Sequence, residues 1–564
     1  MASDDAKPAI GGPGVDNTLA KAPDDGLGAR NVQPRQSGFL GWVERTGNRL
    51  PDPVFIFFYL IAVLVLISVI CRWLGVSAVH PTQISASGAP VVIESASLLS
   101  ATNIQRLWVE MPATFTHFHP LGYVLVVMLG AGVAERSGLF AAGIRNALRG
   151  VSTGLLTPMV ALVAMLSNHA ADAGYVVMIP LAAIIFASAG RHPLAGVAAA
   201  FAGVSGGFSA NISPGQLDAL LFGITEASVQ SSNLGADWTV NFAGNWYFIA
   251  ALLLIYLPVI WYVTDRIVEP RLGTWSGTDS EMGEDYADVD QPLTKAERSG
   301  LRRAGLAMLG VCALWAAMTF GPGTPLLADE GAAPDAEWYD LAGPFFRSLV
   351  AGFFVLFLAA GWAYGKRAGT VETHRDLVAM MAEGMKDMGY YLVLAFAAAH
   401  FVAMFGWSNL GIISAVHGAD AIQASGLPLP AVIGLIVLFA ALLNLFVGSA
   451  SAKWALLAPV LVPMLMLLGL SPEAATAAYR VGDGATNIIT PLMVYFPLIL
   501  VFARRWDPKF GLGSLTAIMI PYSVWMLITG VILIMVWIAF GWNLGSGAPA
   551  AFELAPGGVV PGAD

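Results

Sequence analysis

Apolar residues in this chain come in runs too long for the strands or amphipathic helices of a water-soluble core. They occupy roughly 53–74, 119–134, 154–190, 245–264, 304–320, 343–364, 387–406, 428–447, 484–502 and 512–540. Each reaches or approaches the roughly 20 residues a helix needs to cross about 30 Å of hydrocarbon, and 154–190 has room for more than one segment. Lipid offers nothing to hydrogen-bond a bare amide or carbonyl, so each crossing must satisfy its own backbone, as a helix does. The pattern predicts an all-α polytopic membrane protein.

Several apolar stretches are interrupted, and the interruptions come twice. Sliding the chain by 279 positions superposes Pro180, Gly190, Pro193, Ala195, Ala198, Ala199 and Gly203 on Pro459, Gly469, Pro472, Ala474, Ala477, Ala478 and Gly482, seven identities within 24 positions. A gap of three then sets SANISP (Ser209 to Pro214) against ATNIITP (Ala485 to Pro491), pairing Asn211 with Asn487 and, after one further insertion, Pro214 with Pro491. Ala and Gly are common enough here to align by composition alone, but shared Pro and Asn positions are not explained that way. Paired, interrupted apolar segments in corresponding places predict inverted structural repeats, the build of a secondary transporter. Unwound backbone at membrane depth frees carbonyls and amides that hydrocarbon cannot solvate and an ion or anion can.

Composition agrees with the pattern. Of 564 residues 57% are hydrophobic and 12% charged, about half the charged share of a soluble protein. Cys71 and Cys312 both sit in apolar runs, so neither a disulfide framework nor a cysteine metal site is expected. The net charge of −10 comes with no basic block, which argues against a nucleic-acid partner and leaves membrane lipid as the surroundings. Cytoplasmic loops retain Lys and Arg: Arg45 and Arg49 precede the first span, Arg266, Arg271, Lys295, Arg298, Arg302 and Arg303 crowd one loop, and Lys366, Arg367, Arg375, Arg504, Arg505 and Lys509 mark two more. Residues 321–345 and 541–564 carry none. The N-terminus is therefore expected inside and the C-terminus outside. The predicted units are a disordered cytoplasmic tail (1–37), a first half (38–264) with repeat 1 at about 154–222, and a cytoplasmic loop (265–303). A second half (304–540) with repeat 2 at about 428–502 and an extracytoplasmic tail (541–564) follow.

Polar residues inside the interrupted segments are the candidates for chemistry. SNHAADAGY places Asn168 and Asp172 four residues apart, and GVSGGFSANISPGQLD brings Asn211 and Asp218. In the second half, NLFVGSASAKW supplies Asn444, Ser449, Ser451, Lys453 and Trp454, and YRVGDGATNIITP supplies Arg480, Asp483, Thr486, Asn487 and Thr490. Carboxylate, amide and hydroxyl oxygens suit a hard monovalent cation, with Asp483 its leading ligand and Asn168, Asp172, Asn211 and Asn487 further candidates. A proton on Asp172, Asp218 or Asp483 is the other coupling ion to consider. Arg480 suits a substrate carboxylate, which a guanidinium holds with two parallel bonds. The bland readings are that Arg480 and Asp483, at i and i+3, neutralise each other, that Asp172 and Asp218 cap helices, and that His169 and His192 are boundary residues. Trp454 is either interfacial or a stacking surface for an aromatic substrate.

At these residues the chain resembles the p-aminobenzoyl-glutamate transporter (AbgT) family. The resemblance runs from about Gly38 to about Phe540 and is carried by DAGYVVMIPLAA, GRHPLAGVAAAFAGVSGGFSAN, GSASAKWALLAPVLVPM and AYRVGDGATNIITPLM. It implies a homodimer in the bacterial inner membrane whose protomers have about nine transmembrane helices plus two re-entrant helical hairpins. Relatives move p-aminobenzoyl-glutamate inward or sulfonamide antimetabolites outward. Carried over by position, the sodium ligands fall on Asn444 and Asp483, and the substrate path on Asp218, Ser451, Trp454, Pro472, Arg480, Asp483 and Pro491. NHAAD carries His169 and Ala171 where the family has an apolar residue and Ser, and Gly484-Ala485 stand where relatives often have Ser-Val.

Two other readings compete. A sodium-coupled di- or tricarboxylate transporter would share the breaks, but a small dicarboxylate needs no aromatic surface. An intramembrane protease would use GVSG (Gly203 to Gly206) with His400 as base, or the VGDG around Asp483; neither explains why the break comes twice.

Overall fold

A computed structural model describes residues 53–553 except 86–89, 149–150, 171–173, 233, 235–237, 240, 276–292, 324, 330, 332–340, 491–492 and 494, together with 559–560. The expectations for the tail 1–37, Asp172, Pro491 and the middle of loop 265–303 lie outside the described residues.

Among the described residues seven helices are long and apolar enough to cross a membrane: Val54–Leu74, Trp246–Leu272, Lys295–Phe320, Leu349–Ala368, Gly389–Trp407, Ala450–Leu467 and Leu512–Ala539. The pair Leu121–Arg136 and Leu139–Leu148 is apolar and long enough to cross only if taken together, and is bent by 63° at Gly138, whose φ is +87°. Length alone does not count the crossings, because Ala450–Leu467 is one limb of a hairpin. Two expected boundaries move. The run 484–502 is not one helix: Pro472–Asn487 ends there and Phe496–Trp506 begins after a break, since the Thr490-Pro491 step disfavours helix. The loop 265–303 is shorter than expected, because helix continues through a wide turn at Thr264–Val268 to Leu272 and resumes at Lys295. Hydropathy falls off before these helices do; Gly273, at φ +84°, ends one and a Thr294/Glu297 capping box starts the other. In addition, the polar stretch after the first span forms a small antiparallel hairpin, Ser77–Ser85 with Pro90–Glu94, joined in parallel by Val559–Val560.

Two hydrophobic cores organise the helices. The smaller joins His119–Arg136, Lys295–Phe320 and Leu349–Ala368. Small residues set the spacing there: a Cβ on Gly361 would lie 2.8 Å from the Ala134 backbone, and one on Gly130 2.4 Å from Phe354 O, the close approach that packs helices where lipid supplies no hydrophobic drive. The larger core holds both interrupted regions.

Those regions follow one plan. A helix (Leu156–Leu166; Leu429–Asn444) breaks into a hairpin, whose outgoing limb (Ile179–Ser188; Ala450–Leu467) turns into a return limb (Pro193–Phe201; Pro472–Asn487). The turns use Gly190 (φ +70°) and Gly469 (φ +85°). The N-caps His192 and Ser471 each precede a proline in the first helical position. A Cβ on Gly203 would lie 2.5 Å from Ala164 Cβ, and one on Gly482 2.3 Å from Val437 O. At corresponding places, then, glycine lets the return segment press against the helix before the hairpin.

This separates two roles for glycine. Gly190 has open space around a Cβ, so Gly190→Ala should cost only the roughly 1–2 kcal/mol of a left-handed backbone. Gly482→Val should cost more than about 3 kcal/mol, since a backbone carbonyl cannot rotate away. Thermal unfolding in detergent compares them; equal losses would show that the return limb is not held against Leu429–Asn444.

Candidate functional site

Every residue of the return limb Pro472–Asn487 is buried, and it carries Arg480 and Asp483 into that environment. The alternative reading, mutual neutralisation at i and i+3, does not occur: each charge pairs across to another element. Arg480 Nη1 donates to Asp218 Oδ1 at 2.9 Å, with the two side chains 1% and 6% exposed. Asp218 Oδ2 accepts from the Gly215 amide at 2.8 Å, so the expected helix-capping role and the ion pair coexist. Asp483 Oδ1 pairs with the Lys453 amine, at 0% and 1% exposure.

Around Asp483 the polar atoms form a cage. Asn444, wholly buried, donates from Nδ2 toward Asp483 O (2.7 Å), Thr486 Oγ1 (2.9 Å) and Asn487 Oδ1 (2.9 Å). Asn444 Oδ1 accepts from Lys453 Nζ. The Tyr479 hydroxyl lies 3.4 Å from Asp483 Oδ1 and donates to Ala450 O at 2.5 Å. Asp483 Oδ2 is buried without a partner. The two side-chain oxygens expected to hold sodium are thus taken by an ammonium from the chain itself. With Lys453 in place, a sodium ion in this cage would have to displace the ammonium from Asn444 Oδ1 and Asp483 Oδ1.

A cavity of about 310 Å³ lies on the other side of Arg480, within the roughly 300–1,000 Å³ of small-molecule sites. Arg480 and Asp218 line it with Asn168, Asn211, His169 and the aromatic rings of Tyr175, Phe208 and Tyr391. Arg480 Nε and the Tyr391 hydroxyl are buried without partners. His169 bridges the breaks of the first half: Asn211 Nδ2 lies 3.0 Å from its Nδ1, and Ser213 Oγ 2.9 Å from its Nε2. An amide donor on Nδ1 leaves the ring proton on Nε2, donating to Ser213. The second half is stitched likewise, by Asn444 to Asn487.

The expected site residues are divided among separate places. Asp218, Arg480, Asn168 and Asn211 meet at the cavity, and Asn444, Asp483 and Asn487 in the cage. Trp454 is neither interfacial nor open to a ligand: it is wholly buried and stacks on Tyr479, centroids 4.6 Å apart at 26°. Its Nε1 donates to Thr225 Oγ1 (3.0 Å), which meets Thr476 Oγ1 (3.0 Å), which donates to Pro472 O (2.9 Å). Ser451 lies between Ser449, 3.3 Å away, and a small apolar recess. Sequence reasoning set Lys453 among the polar candidates without giving it a role, and passed over Tyr391. The first carried a signal, a lone Lys one residue before a Trp inside an interrupted apolar segment; Tyr391, at the head of an apolar helix, reads as an interfacial anchor. The protease arrangement is not assembled: Ser205 Oγ bonds Met493 Sδ, and His400 Nδ1 bonds Phe396 O.

A model of the AbgT transporter family matches residues 38–552. The chain belongs to the AbgT family. It is 37% identical over 514 residues to the p-aminobenzoyl-glutamate transport protein of Escherichia coli (strain K12), covering 91% of this chain and 97% of that protein. The fold matches the Alcanivorax borkumensis YdaH transporter with a TM-score of 0.79 and 40% identity, covering 88% of this chain and 100% of that one. It matches Neisseria gonorrhoeae MtrF, described within a class of antimetabolite efflux pumps, with a TM-score of 0.82 and 40% identity over 91% of this chain and 100% of that one. The AbgT chain described here is a multi-pass membrane transporter of a bacterial family.

Breaking a buried ion pair from one side strands a charge, which costs about 3–5 kcal/mol. Asp218→Leu should therefore destabilise by about that much, and Asp218→Leu with Arg480→Met should recover most of it. Thermal melts of the two variants decide the point; additive losses would mean that the Arg480–Asp218 contact is not an energetic pair.

Proposed function

We propose that this transporter moves p-aminobenzoyl-glutamate-like aromatic acyl-amino-acid anions, or exports sulfonamide antimetabolites, by cation-coupled alternating access. One observation carries the reading: a buried guanidinium with an unused N–H, Arg480 Nε, lines a cavity walled by Tyr175, Phe208 and Tyr391. A guanidinium holds a carboxylate, and ring walls suit an aromatic acyl group, which a small dicarboxylate lacks. The names of the relatives in Escherichia coli and Neisseria gonorrhoeae support the same substrate classes. The coupling cation, sodium or a proton, acts in this reading at the cage around Asn444 and Asp483. Asn168, Asp172 and Asn211 are the further candidates beside the first hairpin, and Pro491 lies on the substrate path.

The two hairpins are the re-entrant elements of inverted repeats and move together, while the remaining helices of about nine spans hold a homodimer in the inner membrane. The anchoring of their tips supports opposite sides. Arg191, at the first tip, donates to Glu269 Oε1 (3.0 Å), Asp265 Oδ1 (2.6 Å) and Thr157 Oγ1 (2.8 Å), beside the Arg266 and Arg271 expected inside. The second tip is strapped by the C-terminal segment expected outside: Ser471 N donates to Ala550 O and Phe552 N to Gly469 O, both at 2.9 Å. Lys295–Phe320 turns Leu306, Leu309, Leu314 and Phe320 outward, a face for lipid or a second protomer.

Uptake of p-aminobenzoyl-glutamate and of succinate into proteoliposomes, with sodium and proton gradients imposed separately, tests this. The aromatic substrate should accumulate when a sodium or proton gradient is imposed to drive it, succinate should not, and Arg480→Ala should lose at least about ten-fold in rate, as expected when a charge-assisted contact is removed. Transport of succinate alone would replace this reading with the dicarboxylate one.

A further inference from the structure

We infer that the Lys453 ammonium is the resident cation of the Asn444–Asp483 cage and keeps sodium out of it. The inference rests on the cage being the coupling site, and narrows which ion acts there. Lys453 sits in the first turn of Ala450–Leu467 and Asp483 in the last turns of Pro472–Asn487. Each end carries the partial charge of the same sign as its residue, so neither side chain is placed to suit its own helix. Together they compensate, at 1% and 0% exposure, where no water can replace either partner.

The rest of the cage is arranged for a cation. Asn444 cannot be turned over, because its Nδ2 faces three oxygens, on Asp483, Thr486 and Asn487. Its Oδ1 is thereby committed to a positive group, and the group it meets is Lys453 Nζ. The Tyr479 hydroxyl ties the Asp483 limb to Ala450, three residues before Lys453, so the amine is delivered by a short, fixed connection. A tethered group of this kind competes at an effective concentration of millimolar or above. Removing the ammonium would leave Asp483, whose Oδ2 already lacks a partner, and Asn444 Oδ1 facing an open position. A glutamine at 453 would add a third side-chain oxygen.

The test is thermal unfolding of the purified full chain, without substrate, in sodium, potassium and choline chloride at equal ionic strength. Wild type should melt at one temperature in all three. Lys453→Gln should melt higher in sodium, with the rise complete at a concentration at least about ten-fold below any sodium effect on wild type. The charge-neutral Lys453→Gln/Asp483→Asn variant, which leaves no bare charge, should fold and ignore sodium. A sodium-specific rise in wild type equal to that of Lys453→Gln would overturn the inference, as would a folded Lys453→Gln with no sodium response. If Lys453→Gln yields no folded protein in any salt, the wild-type comparison decides alone: a sodium-specific rise overturns the inference and its absence upholds it. Failure of p-aminobenzoyl-glutamate to bind wild type would sink the transport reading and leave these melts unchanged.

Discussion

A charge at membrane depth cannot be left alone, and the architecture around the second hairpin follows from that. One charged residue at the centre of a spanning helix costs about 2.5–3.5 kcal/mol on insertion scales. The limb Pro472–Asn487 carries two, fully buried, and their partners come from different elements: Asp218 from Gln216–Ser232 and Lys453 from Ala450–Leu467. Asn444 brings in a third, Leu429–Asn444. Satisfying two charges therefore fixes the mutual positions of four helices, and does so between the two halves of the chain.

The breaks are the other side of the same constraint. Where a helix stops inside the bilayer its last carbonyls and first amides need partners, and here polar side chains from the neighbouring break supply them. Asn444 reaches Asp483 O, and Asn211 Nδ2 reaches Met165 O at 3.2 Å. Small residues make this affordable in space. With glycine at 203 and 482 the return segments lie close enough to the preceding helices for Asn side chains to span the breaks.

Spacing along one chain shows which residues are unusual but not which neighbours they choose. The doubled Pro-Gly-Pro pattern was legible because turns are local: Gly190 and Gly469 take positive φ for reasons that lie within a few residues of themselves. The importance of Arg480 and Asp483 was legible too, since charge amid apolar residues is costly wherever it points. Their partners were not. An i, i+3 spacing offered a local pairing, and tertiary packing replaced it with contacts 262 and 30 positions distant in sequence. Trp454 failed as a stacking surface for the same reason, its face being covered by Tyr479, a residue of another limb. The aromatic walls of the cavity came instead from Tyr175 and Phe208, in stretches singled out only for their polar residues, and from Tyr391, in a segment that hydropathy reads only as apolar.

The two ion pairs have a common logic. Asp218 gives Arg480 a carboxylate, which is what an anionic cargo would give it, and Lys453 gives Asp483 a cation, which is what a coupling ion would give it. An unloaded carrier still has to keep both charges satisfied, or pay the full desolvation penalty of each. With internal counter-ions in place, a ligand gains only the difference between its own contacts and those it displaces. If an anion binds at Arg480 as proposed, its affinity would be set as much by how firmly Gly215 N holds Asp218 Oδ2 as by the guanidinium, because a carboxylate fixed by its own backbone can release Nη1 without losing every partner.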